Sequence, residues 1–168
     1  MTQRLINDDR DRFKFVVVRD PIKRFVSAYS DRIVYSKVLQ RADVQDLLIH
    51  HSLSPDPDIN NFVTNIELYR YLSEDVYQHT NPQVYRIGKD LTRWDSVYKI
   101  ENLDRLRCKL VDLTGIEFNF LKARSTQSKA ILEQLTTESK HKLHTMYSQD
   151  YDLLSDFYSP VDVMCDLV

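Results

Sequence analysis

Glycine is nearly absent, with only Gly88 and Gly115 in 168 residues. That leaves no glycine-rich phosphate cradle and favours helices over glycine-built loops. Cysteine is as scarce. Cys108 and Cys165 are isolated and form no C-x-x-C pair, which argues against a disulfide framework or a cysteine metal centre. Cys108 falls among apolar helical positions and reads as a core thiol. No apolar run reaches membrane-spanning length, and neither a signal peptide nor an N-x-S/T sequon is present. A soluble, cytoplasmic chain is expected. The formal net charge is only −2, so the chain as a whole is no basic nucleic-acid binder, although a local basic site is compatible with it. His50 and His51 are adjacent, and adjacent side chains on a helix diverge. They read as surface residues, and no metal site is expected.

What is present suits one globular domain over residues 1–168. Charged residues make up 29% and the hydrophobic set 42%, enough to build a real core at this length. There is no internal repeat and no low-complexity tract.

The stretch that organises the rest is FKFVVVRDPIKRFVSAY, residues 13–29. Phe13 to Val18 is apolar except for Lys14. Three consecutive valines suit a strand buried on both faces. Asp20 is a good helix N-cap, and Pro21 fits the first helical position. Ile22, Phe25, Val26, Tyr29 and Ile33 then share one helical face, with Arg24, Ser27 and Asp31 on the other. The unit is strand, tight turn, helix, with Arg19 at the carboxyl end of the strand, where open α/β sheets place ligands. A helix N-terminus with free N–H groups favours an anion. Arg19 adds a guanidinium fork and Ser27 a hydroxyl. Spacing alone is satisfied as well by an ion pair of Arg19 with Asp20 or a neighbouring acid and a solvated Ser27.

Farther along, Tyr35 to His51 continues as helix and connection, and SLSPDPD at 52–58 is a turn cluster. Asp58 caps a helix expected from Ile59 to near Gln78, before the loop HTNPQ. Val84 to Ile87 reads as a short strand stopped by Gly88, and Ser96 to Ile100 as another. Glu101 or Asn102 leads into a helix over Leu103 to Leu113 closed by Gly115. Residues 116–130 are irregular and basic, with Lys122, Arg124 and Lys129. Thr136 or Thr137 caps a final long helix, apolar at Leu143, Met146, Tyr147, Leu153, Leu154 and Phe157, that runs until Pro160. The expected fold class is α/β: helix-rich, with a short parallel sheet flanked by helices.

RDPIKRFVSAY resembles the 3′-phosphate-binding motif of sulfotransferases, R-D-P-x-x-R-x-x-S-x-Y, in the form used by the Golgi-type carbohydrate family (sulfotransferase family 2). Arg19, Asp20, Pro21, Arg24, Ser27 and Tyr29 fill its defined positions. The resemblance implies that Arg19 and Ser27, with Arg24, bind the donor PAPS (3′-phosphoadenosine 5′-phosphosulfate) or its product PAP. It also implies a glycan or polysaccharide acceptor, no nucleic acid and no metal. His79-Thr80-Asn81-Pro82-Gln83 resembles the family's H-x-x-P-Q segment, which makes His79 the candidate base for the acceptor hydroxyl. Glu101-Asn102-Leu103 resembles the family's E-N-L, expected to be structural, with Glu101 orienting an arginine or histidine. Lys122, Arg124, Ser125 and Ser128 fall where the family has a loop near the nucleotide. Its asparagine is not found here, and Arg124 is the residue expected to contact phosphate. Asp150 and Tyr151 in SQDYDLL match a terminal helix that packs onto the sheet.

The departure lies at the front. The family's K-x-G-C/S-T-S loop, which cradles the 5′-phosphosulfate and supplies a lysine, has no counterpart before Phe13. RIGKDLT, residues 86–92, has a glycine and a lysine but sits where the family has a structural turn. The expectation is a truncated P-loop-like sulfotransferase fold, lacking the N-terminal strand and that loop, and weak or inactive as this chain. An uncovered sheet edge or face would make self-association plausible, and a Golgi location would need an N-terminal anchor. The alternatives are a non-catalytic PAP- or phosphate-binding remnant, an interaction protein on the same fold, or an unrelated helical adaptor.

Overall fold

A computed structural model describes residues 12–120 and 126–160. Strand β1 (Phe15–Val18) runs into helix α1 (Pro21–Tyr29), followed by a π-helical turn over Ser30–Tyr35 and a 3-10 turn over Val38–Gln40. Helices α2 (Ala42–His50), α3 (Ile59–Thr64), α4 (Ile66–Leu72), α5 (Glu74–Thr80) and α6 (Val84–Ile87) come next. Strand β2 (Ser96–Lys99) then leads to α7 (Leu103–Thr114), α8 (Thr126–Glu133), α9 (Thr137–Met146) and α10 (Ser148–Leu153). The two strands pair in parallel, with Val16 opposite Val97 and Val18 opposite Lys99. The result is the helix-rich α/β arrangement that the sequence predicts, a short parallel sheet flanked by helices. Among the described residues, no helix is long and apolar enough to cross a membrane.

The strand–turn–helix unit forms as its residues dictate. Asp20 caps α1 by accepting from the Lys23 N–H at 2.8 Å, and Pro21 occupies the first turn. Ile22, Phe25, Val26, Tyr29 and Ile33 are all buried, as their spacing requires. Phe25 lies 5.7 Å from Phe62 and 6.2 Å from Tyr147, ring centre to ring centre. Burying each such side chain contributes roughly 1.5–3 kcal/mol. Farther on, Gly115 ends α7 in the left-handed conformation, at φ 68°.

Several elements differ from expectation. β1 is buried on one face, not both: Val16 and Val18 join the core while Val17 is 37% exposed. A two-stranded sheet packs one face on the helices. The other carries Phe15 and Tyr98, whose rings lie 6.3 Å apart, and leaves Val17 open. Val84 to Ile87 is helix rather than strand, because the Asp150 carboxylate takes the Gln83 and Val84 N–H groups, both at 2.8 Å, and starts a turn there. Gly88, at φ 86°, does stop it.

The helix expected over Ile59 to Gln78 is three. Asn65 and Ser73 leave helical geometry, and Ser73 recaps the chain onto Val76. The final helix likewise breaks at Tyr147. The irregular stretch expected over 116–130 ends early, since α8 begins at Thr126. Cys108 is exposed rather than a core thiol, since α7 turns Leu106 inward and leaves Cys108 on the opposite side. Arg124, Lys122, Ser125 and Cys165 lie outside the described residues.

Tyrosine hydroxyls tie the elements together through backbone carbonyls. Tyr29 donates to Pro57 O at 2.8 Å, Tyr69 to Ser54 O at 2.9 Å, and Tyr147 to Thr80 O at 2.6 Å. Burial, with nearby aspartates adding to it, pushes Tyr29 and Tyr69 up to about 12, and burial pushes Tyr147, Tyr151 and Tyr158 upward as well. The folded state therefore holds these protons longer than the unfolded chain. Stability fully present below a pH of about 10 should be lost as pH climbs towards 12. In an alkaline titration, tyrosinate absorbance and loss of helical circular dichroism should rise together. Tyrosinate formation that runs to completion with the helices intact would contradict this packing.

Candidate functional site

The carboxyl end of β1 places Arg19 half-buried beside the start of α1. Its guanidinium has no hydrogen bond or ion pair among the described residues. The alternative of an Arg19–Asp20 pair does not form, because Asp20 is occupied elsewhere. One Asp20 oxygen accepts from the Lys23 N–H at 2.8 Å and the other from the Tyr151 hydroxyl at 3.3 Å. Burial raises the Asp20 pKa against these donors and the Lys23 charge.

The first turn of α1 offers fewer free N–H donors than its sequence suggests. Pro21 has none, the Lys23 N–H is taken by the Asp20 carboxylate, and the Arg24 N–H returns to Asp20 O at 2.8 Å. An anion here would rely largely on side chains. Ser27, half-buried in the second turn of α1, has a hydroxyl with no partner among the described residues.

Arg24 is committed to the scaffold. Its Nη1 donates to Asn81 O at 2.6 Å, and burial lowers its pKa. The H-x-x-P-Q segment is thereby drawn against α1. Its other end is held more tightly, since the Gln83 Oε1 accepts from the Arg19 N–H at 3.1 Å and its Nε2 donates to Arg19 O at 2.8 Å. Thr80 within the segment is fixed by Arg70, whose Nε reaches its hydroxyl at 2.9 Å, and by Tyr147. Asp150 is fully buried and accepts the two N–H groups after Pro82; burial raises its pKa against those donors. Asp150 and Tyr151 are thus architectural, as the sequence suggests.

His79 ends α5 with its ring partly exposed. Its Nδ1 lies 2.8 Å from the Asp75 carbonyl oxygen and 3.4 Å from the Asp75 carboxylate. A carbonyl only accepts, so this hydrogen bond places a proton on Nδ1 and turns Nε2 away from Asp75. Arg32 and Arg41 approach the same carboxylate at 3.7 and 3.6 Å and hold it in place.

Among the described residues, Glu101 is not paired with an arginine or histidine. It accepts from the Tyr158 hydroxyl at 2.6 Å, and that hydroxyl also lies 3.2 Å from Val18 O. Tyr158 in turn lies under the Lys99 ammonium, 4.4 Å away, which donates to Phe157 O.

Arg19, Arg24 and Ser27 therefore sit on one strand–helix unit, with His79 on the segment docked against it. Sequence reasoning passed over Gln83 and the Asp75–Arg32–Arg41 set. Gln83 was visible in the H-x-x-P-Q pattern, but nothing local said what its amide would meet. The ion pairs join residues 34 to 43 positions apart and left no local signal.

A family model described as "Sulfotransferase family" matches residues 2–158. No curated protein and no solved structure matches.

Proposed function

This chain belongs to the sulfotransferase family, and from that premise we propose that it binds PAPS and PAP and carries part of the machinery for sulfuryl transfer to a carbohydrate hydroxyl, with turnover weak or absent in these 168 residues alone. The observation that carries this reading is the Arg19 guanidinium at the carboxyl end of β1, which makes no hydrogen bond or ion pair among the described residues, beside a helix start whose Lys23 and Arg24 N–H groups are taken by Asp20. A half-buried guanidinium with a hydroxyl on the adjoining helix and no ion pair among the described residues fits a phosphate better than it fits a structural pair. Arg19 and Ser27 would hold the 3′-phosphate. Arg24 supports them by fixing the chain at Asn81. When bound, PAPS supplies the activated sulfuryl group.

His79 is the base in this reading. With Nδ1 donating to the Asp75 carbonyl, Nε2 is positioned to take the proton of an acceptor hydroxyl. Arg124 remains the proposed additional phosphate contact.

A second reading has its own observation. The 168 residues contain no K-x-G-C/S-T-S segment. RIGKDLT forms the end of α6 and a turn, with Gly88 closing the helix and Asp90 capping a 3-10 turn. PAP binding without turnover is what that combination supports.

The nucleotide arm is tested by calorimetry with PAP and adenosine 5′-phosphate. The 3′-phosphate should raise affinity by roughly tenfold or more, since charged hydrogen bonds contribute about 1.5–3 kcal/mol. Equal affinity for the two nucleotides would contradict the site.

A further inference from the structure

We propose that Gln83 is a positioning residue for Arg19, so that one segment carries the acceptor base at its start and fixes the donor-side arginine at its end. The proposal rests on reading Arg19 as the 3′-phosphate ligand.

Pairing of β1 with β2 stops at Val18 opposite Lys99, so the ladder does not continue to Arg19. The Gln83 amide replaces it. Oε1 accepts from the Arg19 N–H at 3.1 Å while Nε2 donates to Arg19 O at 2.8 Å. A primary amide presents donor and acceptor side by side, as a neighbouring strand would, and so fixes both peptide planes that flank the Arg19 side chain. The backbone of Gln83 is itself immobilised. Its N–H donates to Asp150 at 2.8 Å, and the residue is 7% exposed. Arg24 holds Asn81 two residues earlier, at 2.6 Å. On the other side, Tyr158 reaches Val18 O at 3.2 Å. The direction of the Arg19 guanidinium is thus set by a side chain that never touches the nucleotide.

A residue that merely packs the loop would lower stability, or weaken every nucleotide alike. A positioning residue acts on the 3′-phosphate alone. The test measures PAP and adenosine 5′-phosphate binding by calorimetry for the wild type, Gln83→Met, Arg19→Ala and the double variant. Gln83→Met should leave adenosine 5′-phosphate affinity within about twofold and reduce PAP affinity roughly tenfold, because the Arg19 guanidinium is no longer fixed toward the 3′-phosphate. The double variant should bind PAP no more weakly than Arg19→Ala, because both changes remove one interaction.

Unchanged PAP affinity in a folded Gln83→Met, or losses that add in the double variant, would overturn the proposal. If Gln83→Met loses its helical circular dichroism, Gln83→Asn decides the matter. It keeps a neutral amide that is one methylene too short to meet both Arg19 N–H and Arg19 O, so PAP affinity should fall by a smaller factor; no fall would overturn the proposal. A wild type that fails to distinguish the two nucleotides defeats the underlying site, and this inference with it. A wild type that does so through Arg19 while Gln83 is silent defeats this inference alone.

Discussion

Residues 1–168, incubated with PAPS and a mixed panel of glycans, are expected to transfer no appreciable labelled sulfate. Sulfuryl transfer develops negative charge on the donor's bridging oxygen, and preorganised cations and N–H groups must meet it. The two strand ends offer little. β1 opens into Arg19, which this account assigns to the 3′-phosphate. β2 ends at Lys99, whose ammonium is already spent on Phe157 O and the Tyr158 ring. Lys89 follows Gly88 in a turn after α6, not a loop after a strand. Removing a single oxyanion-type donor typically costs about 10²–10³ in rate, and the lack of a whole loop should cost more. A base such as His79 contributes typically about 10²–10⁴ but only where a leaving group is stabilised. Robust turnover by this polypeptide, abolished by His79→Ala, would show that other residues do the donor loop's work. Turnover confined to an N-terminally extended polypeptide would identify an enzyme whose donor loop lies outside these residues.

The local grammar of the site was legible because it is local. Asp20, Pro21 and the spacing from Ile22 to Ile33 specify a capped amphipathic helix, and that helix forms. Glycines in so poor a supply mark their places clearly, and both Gly88 and Gly115 end helices. What stayed hidden depends on partners far along the chain. Val84 to Ile87 alternates weakly and passes for a strand; only Asp150, 66 residues on, makes its start a helix. The valines of β1 look suited to burial on both faces, but the number of layers around a strand is a property of the sheet, not of the strand. The α1 N-terminus showed the same limit. Its cap Asp20 is also held by the Tyr151 hydroxyl, 131 residues away, a contact that no local pattern announces.

Arg19→Ala should therefore have a large effect on nucleotide binding and almost none on the fold. The guanidinium makes no ion pair among the described residues, and Gln83 contacts only the Arg19 main chain, which alanine retains. A substitution that removes no ion pair or side-chain hydrogen bond made among the described residues should change stability by no more than about 0.5 kcal/mol. Its affinity for PAP should fall by about 1.5–3 kcal/mol, the worth of the lost charged hydrogen bonds. Adenosine 5′-phosphate, which has no 3′-phosphate, should hardly notice the change.

The central claim is that Arg19 holds the 3′-phosphate, and calorimetry of PAP with wild type and Arg19→Ala tests it most directly. The account predicts clear PAP binding by the wild type, weakened roughly ten- to hundredfold in Arg19→Ala with an unchanged thermal unfolding midpoint. PAP affinity that survives the substitution intact would contradict it.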